Sequence, residues 1–357
     1  MTETNDLGQR IARLIAAQGP MSVAQFMAIA LHDPRGGYYA THDPLGADFI
    51  TAPEISQAFG ELLGLWCAKT WHDQGRPKPA RLVELGPGRG TLMADALRAV
   101  QLMPEFLASI EIVLVESSPV LKEAQKKILS DCELPLRWIQ SAADLPRDRP
   151  QFTIANEFLD ALPVQQFVMT EKGWSERMVG VDASGALSFM LAPSAWNFAV
   201  PPERGDPAPG AVYEFSSAAI ALVEDIARGI AQTGGAALFI DYGYKGVGFG
   251  ETLQAVGDNQ FKNVLHTPGE VDLSAHVDFG AMSRAAVKGG AVTYGPVGQG
   301  AFLESLGIRE REQNLRRHEQ SAMSIAIDRL TKPEEMGALF KALAILPASA
   351  PPPAGFA

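Results

Sequence analysis

Cysteine is nearly absent from this 357-residue chain: Cys67 and Cys132 stand alone and far apart. Two such thiols supply neither a four-ligand zinc site nor a disulfide framework, and they fit a reducing compartment. The six histidines are equally dispersed and show no metal-ligand spacing, so no metal is expected. A membrane span needs roughly 18–20 consecutive apolar residues, and the longest apolar stretches, such as Leu62 to Ala68, stop far short of that. No basic run is present. With 30 basic against 41 acidic residues, a net charge of −11, the chain lacks an electrostatic grip on nucleic-acid phosphate. The acidic start, Met1-Thr2-Glu3-Thr4-Asn5-Asp6, has neither a secretory nor a transit-peptide pattern, and a cytoplasmic location is expected from it.

What is present is ordinary globular material, 46% hydrophobic and 20% charged, in a chain long enough for one large α/β domain with additions or for two domains. Residues 6–32 read as two amphipathic helices broken at Gly19-Pro20, and a third runs from Ile55 to about Asp73. The breaker cluster Gly75-Arg76-Pro77-Lys78-Pro79 marks the best boundary. Beyond it strands and helices alternate: strands at 81–85, 112–115, 136–139 and 152–155, helices at 91–102 and 120–129. That alternation is the pattern of a parallel sheet covered on both faces. Residues 163–181 read as an antiparallel hairpin, 194–210 as an irregular insertion and 212–232 as a helix. Ala236 to Asp241 is strand-like, 243–275 a long loop, and 276–288 a helix. The expected division is a helical cap over 1–75, a core over 76–346 with an insertion at about 163–212, and a disordered tail at 347–357.

The strongest chemical signal is Glu84-Leu85-Gly86-Pro87-Gly88-Arg89-Gly90-Thr91, where a strand enters a glycine turn and then a helix. Gly86, Gly88 and Gly90 keep side chains away from a ligand, and the helix start offers free N–H groups. The spacing differs from the Gly-x-Gly-x-x-Gly that seats a pyrophosphate, which disfavours a nicotinamide dehydrogenase. Glu84 is placed to meet a cationic amino group. Glu116, followed by Ser117, closes the next strand, where a carboxylate accepts both hydroxyls of a ribose. An ammonium and a ribose without a phosphate describe S-adenosylmethionine (SAM).

The sequence resembles the MidA-like family of class I SAM-dependent methyltransferases. The resemblance is carried by Gly37-Tyr38-Tyr39, by 48–56 (Asp-Phe-Ile-Thr-Ala-Pro-Glu-Ile-Ser), by the glycine turn and by 156–163 (Asn-Glu-Phe-Leu-Asp-Ala-Leu-Pro). Asp241-Tyr242-Gly243, Thr252-Leu253-Gln254-Ala255, residues 268–279 and Gln299-Gly300-Ala301-Phe302-Leu303 continue it over about residues 10–346. One departure is Asp258-Asn259-Gln260, where the pattern leads to a histidine. The resemblance implies a Rossmann-like class I methyltransferase sheet with an N-terminal helical cap and an antiparallel hairpin insertion. It also implies methylation of an arginine in a protein substrate, the 49-kDa-type subunit of NADH dehydrogenase, during respiratory complex I assembly. A SAM-binding assembly chaperone without catalysis, and a methyltransferase for another protein or small molecule, remain alternatives.

Residue by residue, Glu84, Gly86, Pro87, Gly88, Gly90, Glu116, Ser117, Asp144 and Asn156 are expected around the cofactor. Asp144 follows the third strand, where this fold presents a polar group to adenine. Glu157 and Asp160 are the expected clamp for a guanidinium, whose charge is permanent and delocalised. Asp241 is expected either as a second acid or as an anchor for the following loop. Glu54, Tyr39, Tyr242 and His276 are placed at the substrate side or in a lid.

Overall fold

The computed structural model describes residues 7–41, 51–196, 198, 200–246, 248–258, 260–315 and 320–356. Two helices, α1 (Leu7–Gln18) and α2 (Val23–His32), are followed by α3 (Gln57–Asp73). The alternating region comprises β1 (Ala80–Leu85), α4 (Thr91–Val100), β2 (Ile110–Val115), α5 (Pro119–Ile128), β3 (Leu136–Ile139) and β4 (Gln151–Asn156). Next come β5 (Gln165–Thr170), β6 (Gly173–Val181), β7 (Leu187–Trp196), β8 (Val212–Phe215), α6 (Ser217–Thr233) and β9 (Gly235–Tyr244). The last principal elements are β10 (Gln254–Gly257), β11 (Gln260–Lys262), β12 (Asp272–Ser274), α7 (Phe279–Lys288), β13 (Val292–Gly298) and β14 (Phe340–Leu346). Among the described residues no helix is long and apolar enough to cross a membrane.

The chain divides into two compact units, and neither follows the expected boundary at residue 75. The larger takes Ile50–Leu159, Ile220–Lys245 and Phe279–Ala357. Its sheet runs β13-β14-β9-β4-β1-β2-β3. The pairs β1–β2, β2–β3, β1–β4 and β4–β9 are parallel, and β14 lies antiparallel to both β9 and β13. All six residues of β1 are buried, as are all six of β4, because helices cover both faces. Successive strands step outward from β1 to β3, and the chain then returns to the other side of β1 as β4. That reversal opens a crevice at the carboxyl ends of β1 and β4, where open α/β sheets receive their ligands.

α3 belongs to this unit rather than to a cap. Phe59, Leu63, Trp66 and Trp71 are buried in the same apolar core as Leu82, Phe152 and Ile240. The C-terminal segment also differs from expectation. The indole Nε1 of Trp66 donates to the Ala354 carbonyl at 3.0 Å, and the Phe356 ring lies 5.1 Å from that of Phe302. Buried aromatic contacts and a satisfied indole hold this tail in place.

The smaller unit is assembled from three separated stretches: the chain up to Phe49, Asp160–Ala219 and Gly246–Asp278. Leu7, Ile11, Phe26 and Leu31 of the two helices pack with Val164, Val179 and Leu273. The expected hairpin is present as β5 and β6, and it is wider than expected because β7 and β8 flank it. Val212-Tyr213-Glu214-Phe215, read in sequence as the start of a helix, forms β8 instead. Its Val212 and Glu214 are buried in alternation with half-buried aromatics, a period of two. The helix begins only after Ser216, whose hydroxyl accepts the Ala219 N–H at 3.1 Å. The expected long loop at 243–275 likewise contains a three-stranded antiparallel sheet, β11-β10-β12. Asp258, at φ +53°, turns the chain between β10 and β11, and Asn259 lies outside the described residues.

Candidate active site

The register of the larger unit sets which side chains can meet. Glu84 of β1 stands beside Leu114 of β2 and Ile154 of β4. Counting two onward along each neighbour reaches Glu116 and Asn156, so all three project to the same face at the carboxyl edge. The glycine turn leaves β1 there. Gly86, Gly88 and Gly90 have φ of +62°, +55° and +90°. A Cβ on Gly86 would lie 2.7 Å from the Phe158 ring, so any larger residue both strains the backbone and collides.

Glu84 is buried, and its Oε2 has no hydrogen-bond partner among the described residues. Burial first, and the negative charge of Glu116 second, push its carboxyl up to about 8. Asn156 is also buried, with Oδ1 unpartnered among the described residues. Buried acceptors without donors are costly, and here they sit where an ammonium-bearing ligand would supply donors. Glu116 is buried too, and that raises its pKa. Its Oε1 accepts the Ser118 backbone N–H at 2.7 Å and its Oε2 accepts Gln125 Nε2 at 2.9 Å. Ser117 and Asp144 are exposed, the latter closing a short 3-10 turn after β3. The residues therefore fit SAM: Glu84 and Asn156 would hold the amino-acid end and Glu116 the ribose.

Two long-range contacts bring the short helix Ala52–Ile55 to this edge, which no sequence spacing announces. The Thr91 hydroxyl, at the start of α4, donates to Glu54 Oε1 at 2.6 Å. The Ala52 N–H donates to Glu157 Oε1 at 3.0 Å. The same oxygen accepts Asn156 Nδ2 at 3.1 Å. Glu157 has φ +48°, a left-handed conformation uncommon for a residue with a side chain, and its backbone N–H bonds the Ile240 carbonyl at 2.9 Å. Strain of this kind is held by surrounding structure and concentrates at functional positions.

Asp241 accepts backbone N–H groups, and the segment it mainly holds is Phe158-Leu159 rather than the loop that follows it. It is fully buried, and its Oδ2 accepts the N–H groups of Phe158 and Leu159 at 3.2 and 3.0 Å. Its Oδ1 accepts the Tyr242 N–H at 2.9 Å. Ile240 pairs with Asn156, so Asp241 projects to the opposite face from Glu84. Tyr242 packs its ring 5.4 Å from Phe340.

The remaining expected residues lie in the smaller unit. Tyr39 donates its hydroxyl to Asp272 Oδ1 at 2.8 Å. Burial, then the charges of Asp272 and Asp160, raise the Tyr39 pKa well above the usual value and keep the phenol protonated. Asp160 is buried, and its carbonyl accepts the Ala275 N–H at 3.0 Å. His276 precedes the helix rather than starting it, and its N–H donates to Thr252 Oγ1 at 2.8 Å. Sequence reasoning missed Gln125, Trp138, Thr91 and the Ala52 amide. Gln125, a glutamine four residues from both Leu121 and Leu129 on the apolar stripe of α5, was the one with a visible signal.

A crevice that offers acceptors to an ammonium and a ribose, on a sheet reversed between β1 and β4, defines a class I SAM-dependent methyltransferase. Residues 62–297 match the model of a family of S-adenosyl-L-methionine-dependent methyltransferases. The mitochondrial protein arginine methyltransferase NDUFAF7 of Danio rerio is 37% identical over 367 residues, covering 95% of this chain and 86% of its own. The Homo sapiens protein of the same name is also 37% identical, covering 93% and 81%. A crystal structure of a methyltransferase-type protein from Burkholderia thailandensis, bound to S-adenosyl-homocysteine, is 29% identical with a TM-score of 0.83, covering 99% of this chain and 94% of its own. The chain belongs to the MidA-like family of SAM-dependent methyltransferases. The expected cytoplasmic location is corrected by the Danio rerio and Homo sapiens relatives, both named as mitochondrial proteins.

Proposed function

We propose that this methyltransferase modifies an arginine of a protein, and that Glu157 is the acid that receives the acceptor guanidinium. The supporting observation is the geometry of Glu157: a left-handed backbone at the carboxyl end of β4, with Oε1 already holding two N–H donors. Two donors on one oxygen orient the carboxylate, and an oriented carboxylate can take the guanidinium N–H groups and localise charge away from the attacking nitrogen. Bound SAM supplies an electrophilic methyl group. Methyl transfer to the nitrogen would leave one guanidinium proton to be given up, and the Glu157 carboxylate that holds the N–H groups would pass it to water. The chain's own contribution is orientation and electrostatic match. The acceptor is supported by the activity named for the relatives. The peripheral-arm NADH dehydrogenase subunit that the resemblance implies is the first protein to try.

Purified enzyme, methyl-labelled SAM and that subunit should yield methylarginine by peptide mass spectrometry. Glu157→Gln should lower kcat by about 10²-fold or more with SAM affinity within about threefold, the mark of an interaction made on the acceptor side. Asp160→Asn is measured beside it. Label on lysine, or full turnover by Glu157→Gln, would sink the proposal.

A further inference from the structure

Gln125 lies on α5 with no exposed surface, where a carboxamide needs partners for every polar atom. It has them. Nε2 donates to the Gly88 carbonyl at 2.7 Å and to Glu116 Oε2 at 2.9 Å. Oε1 accepts the Trp138 indole N–H, from β3, at 2.9 Å. These partners allow only one orientation of the amide. Flipped, the oxygen would face two acceptors and the nitrogen would face a donor. The stem of the same side chain closes on the last glycine of the turn: a Cβ on Gly90 would lie 3.3 Å from Gln125 Cγ. One residue thus ties together the glycine turn after β1, the acid ending β2 and the indole on β3.

Glu116 is held in turn. The Ser118 N–H lies on Oε1 and Gln125 on Oε2, and the Ser117 backbone N–H adds a further donor to the carboxylate. A carboxylate has about four acceptor sites, so the group still has capacity for ligand hydroxyls. A buried carboxylate lacking one of these donors would be free to rotate, and the orientation needed for two adjacent hydroxyls would have to be recovered at the moment of binding.

We propose that Gln125 is a positioning residue for the vicinal diol of the cofactor ribose, acting through Glu116 and itself oriented by Trp138. The proposal rests on Glu116 being the ribose acid. The experiment measures the Kd of S-adenosyl-homocysteine, and of its analogue lacking both ribose hydroxyls, by calorimetry. The proteins are wild type, Gln125→Leu, Glu116→Gln and the double variant. Gln125→Leu should weaken S-adenosyl-homocysteine about tenfold, the scale of one buried hydrogen bond, and leave the analogue within about twofold. The double variant should be no weaker than Glu116→Gln alone. Trp138→Phe, which leaves both side chains in place, should act in the same direction by about threefold and covers the case in which Gln125→Leu does not fold. Equal weakening of both ligands, or full additivity in the double variant, would make Gln125 a packing residue and overturn the proposal. If Glu116→Gln still distinguishes the two ligands as wild type does, the ribose reading fails and takes the proposal with it. If Glu116→Gln loses the distinction while Gln125→Leu and Trp138→Phe keep it, only the role of Gln125 falls.

Discussion

Glu84 and Asp241 lie toward the carboxyl ends of two strands of one sheet, both buried, and the protein uses them in opposite ways. Asp241 gives its oxygens to three backbone N–H groups, those of Phe158, Leu159 and Tyr242. Glu84 leaves Oε2 without a partner among the described residues and is raised to about 8 by burial and by Glu116. The first is the economy of a structural acid, because carboxylates that accept several amides hold loops in fixed conformations. The second is tolerable only where a ligand completes the shell. A buried acid in this crevice is thus read by its unfilled acceptors rather than by its burial.

Substitutions at the two positions should separate stability from binding. Asp241→Ala carries the largest expected effect: three amides lose their acceptor, and urea denaturation should show a loss of about 3 kcal/mol. A loss below about 1 kcal/mol would remove Asp241 from the anchoring role. Glu84→Gln should instead keep stability within about 1 kcal/mol of wild type and weaken S-adenosyl-homocysteine by about 10- to 100-fold. Equal damage to stability would erase the distinction drawn between the two acids.

The same comparison has a pH signature. Glu84 is raised from the ordinary 4.5 to about 8 on folding, so the folded chain binds more protons than the unfolded one between those values. Its contribution to stability is present below about pH 4.5, declines as pH rises and is lost above about 8. Near pH 7 the free carboxyl is mostly protonated, and an ammonium-bearing ligand should expel that proton. The calorimetric enthalpy of S-adenosyl-homocysteine binding should then vary with the ionisation enthalpy of the buffer, corresponding to release of about one proton. Glu84→Gln should abolish that dependence; if it persists, another group is titrating.

Thr91→Val has the smallest expected effect. It removes the bond from the α4 start to the exposed Glu54, and solvent competes for such a bond, so affinity should fall by only about two- to threefold. A much larger loss would move the Ala52–Ile55 helix from the periphery of the cofactor region to its centre.

Much of the sheet was legible because its signals are local. Short apolar runs separated by helical periodicity announced β1 to β4, and the glycine turn announced its own backbone through residues that tolerate positive φ. The reading of Glu84 and Glu116 as cofactor residues came from their distance to strand ends, and the structure brings the two to one face of the sheet edge. Val212 to Phe215 was misread because four residues of alternation abut a long helix, and periodicity over so short a span does not separate the two. The place of α3 was misread because a helix that is apolar on most of its surface can serve a cap or a core equally well.

By itself, the sequence determined the alternating architecture, the glycine turn and which acids end which strands, since each follows from the residues within one element. Tertiary structure decided the rest. Strand parity turned Asp241 away from Glu84, long-range contacts brought Ala52 to Glu157 and Glu54 to Thr91, and packing of α5 delivered Gln125 to Gly88 and Glu116. It also gathered three distant stretches into the smaller unit. Hydrogen bonds across tens or hundreds of residues leave no periodic mark in the chain. They are chosen by which surfaces the core brings together, and only the folded molecule makes that choice.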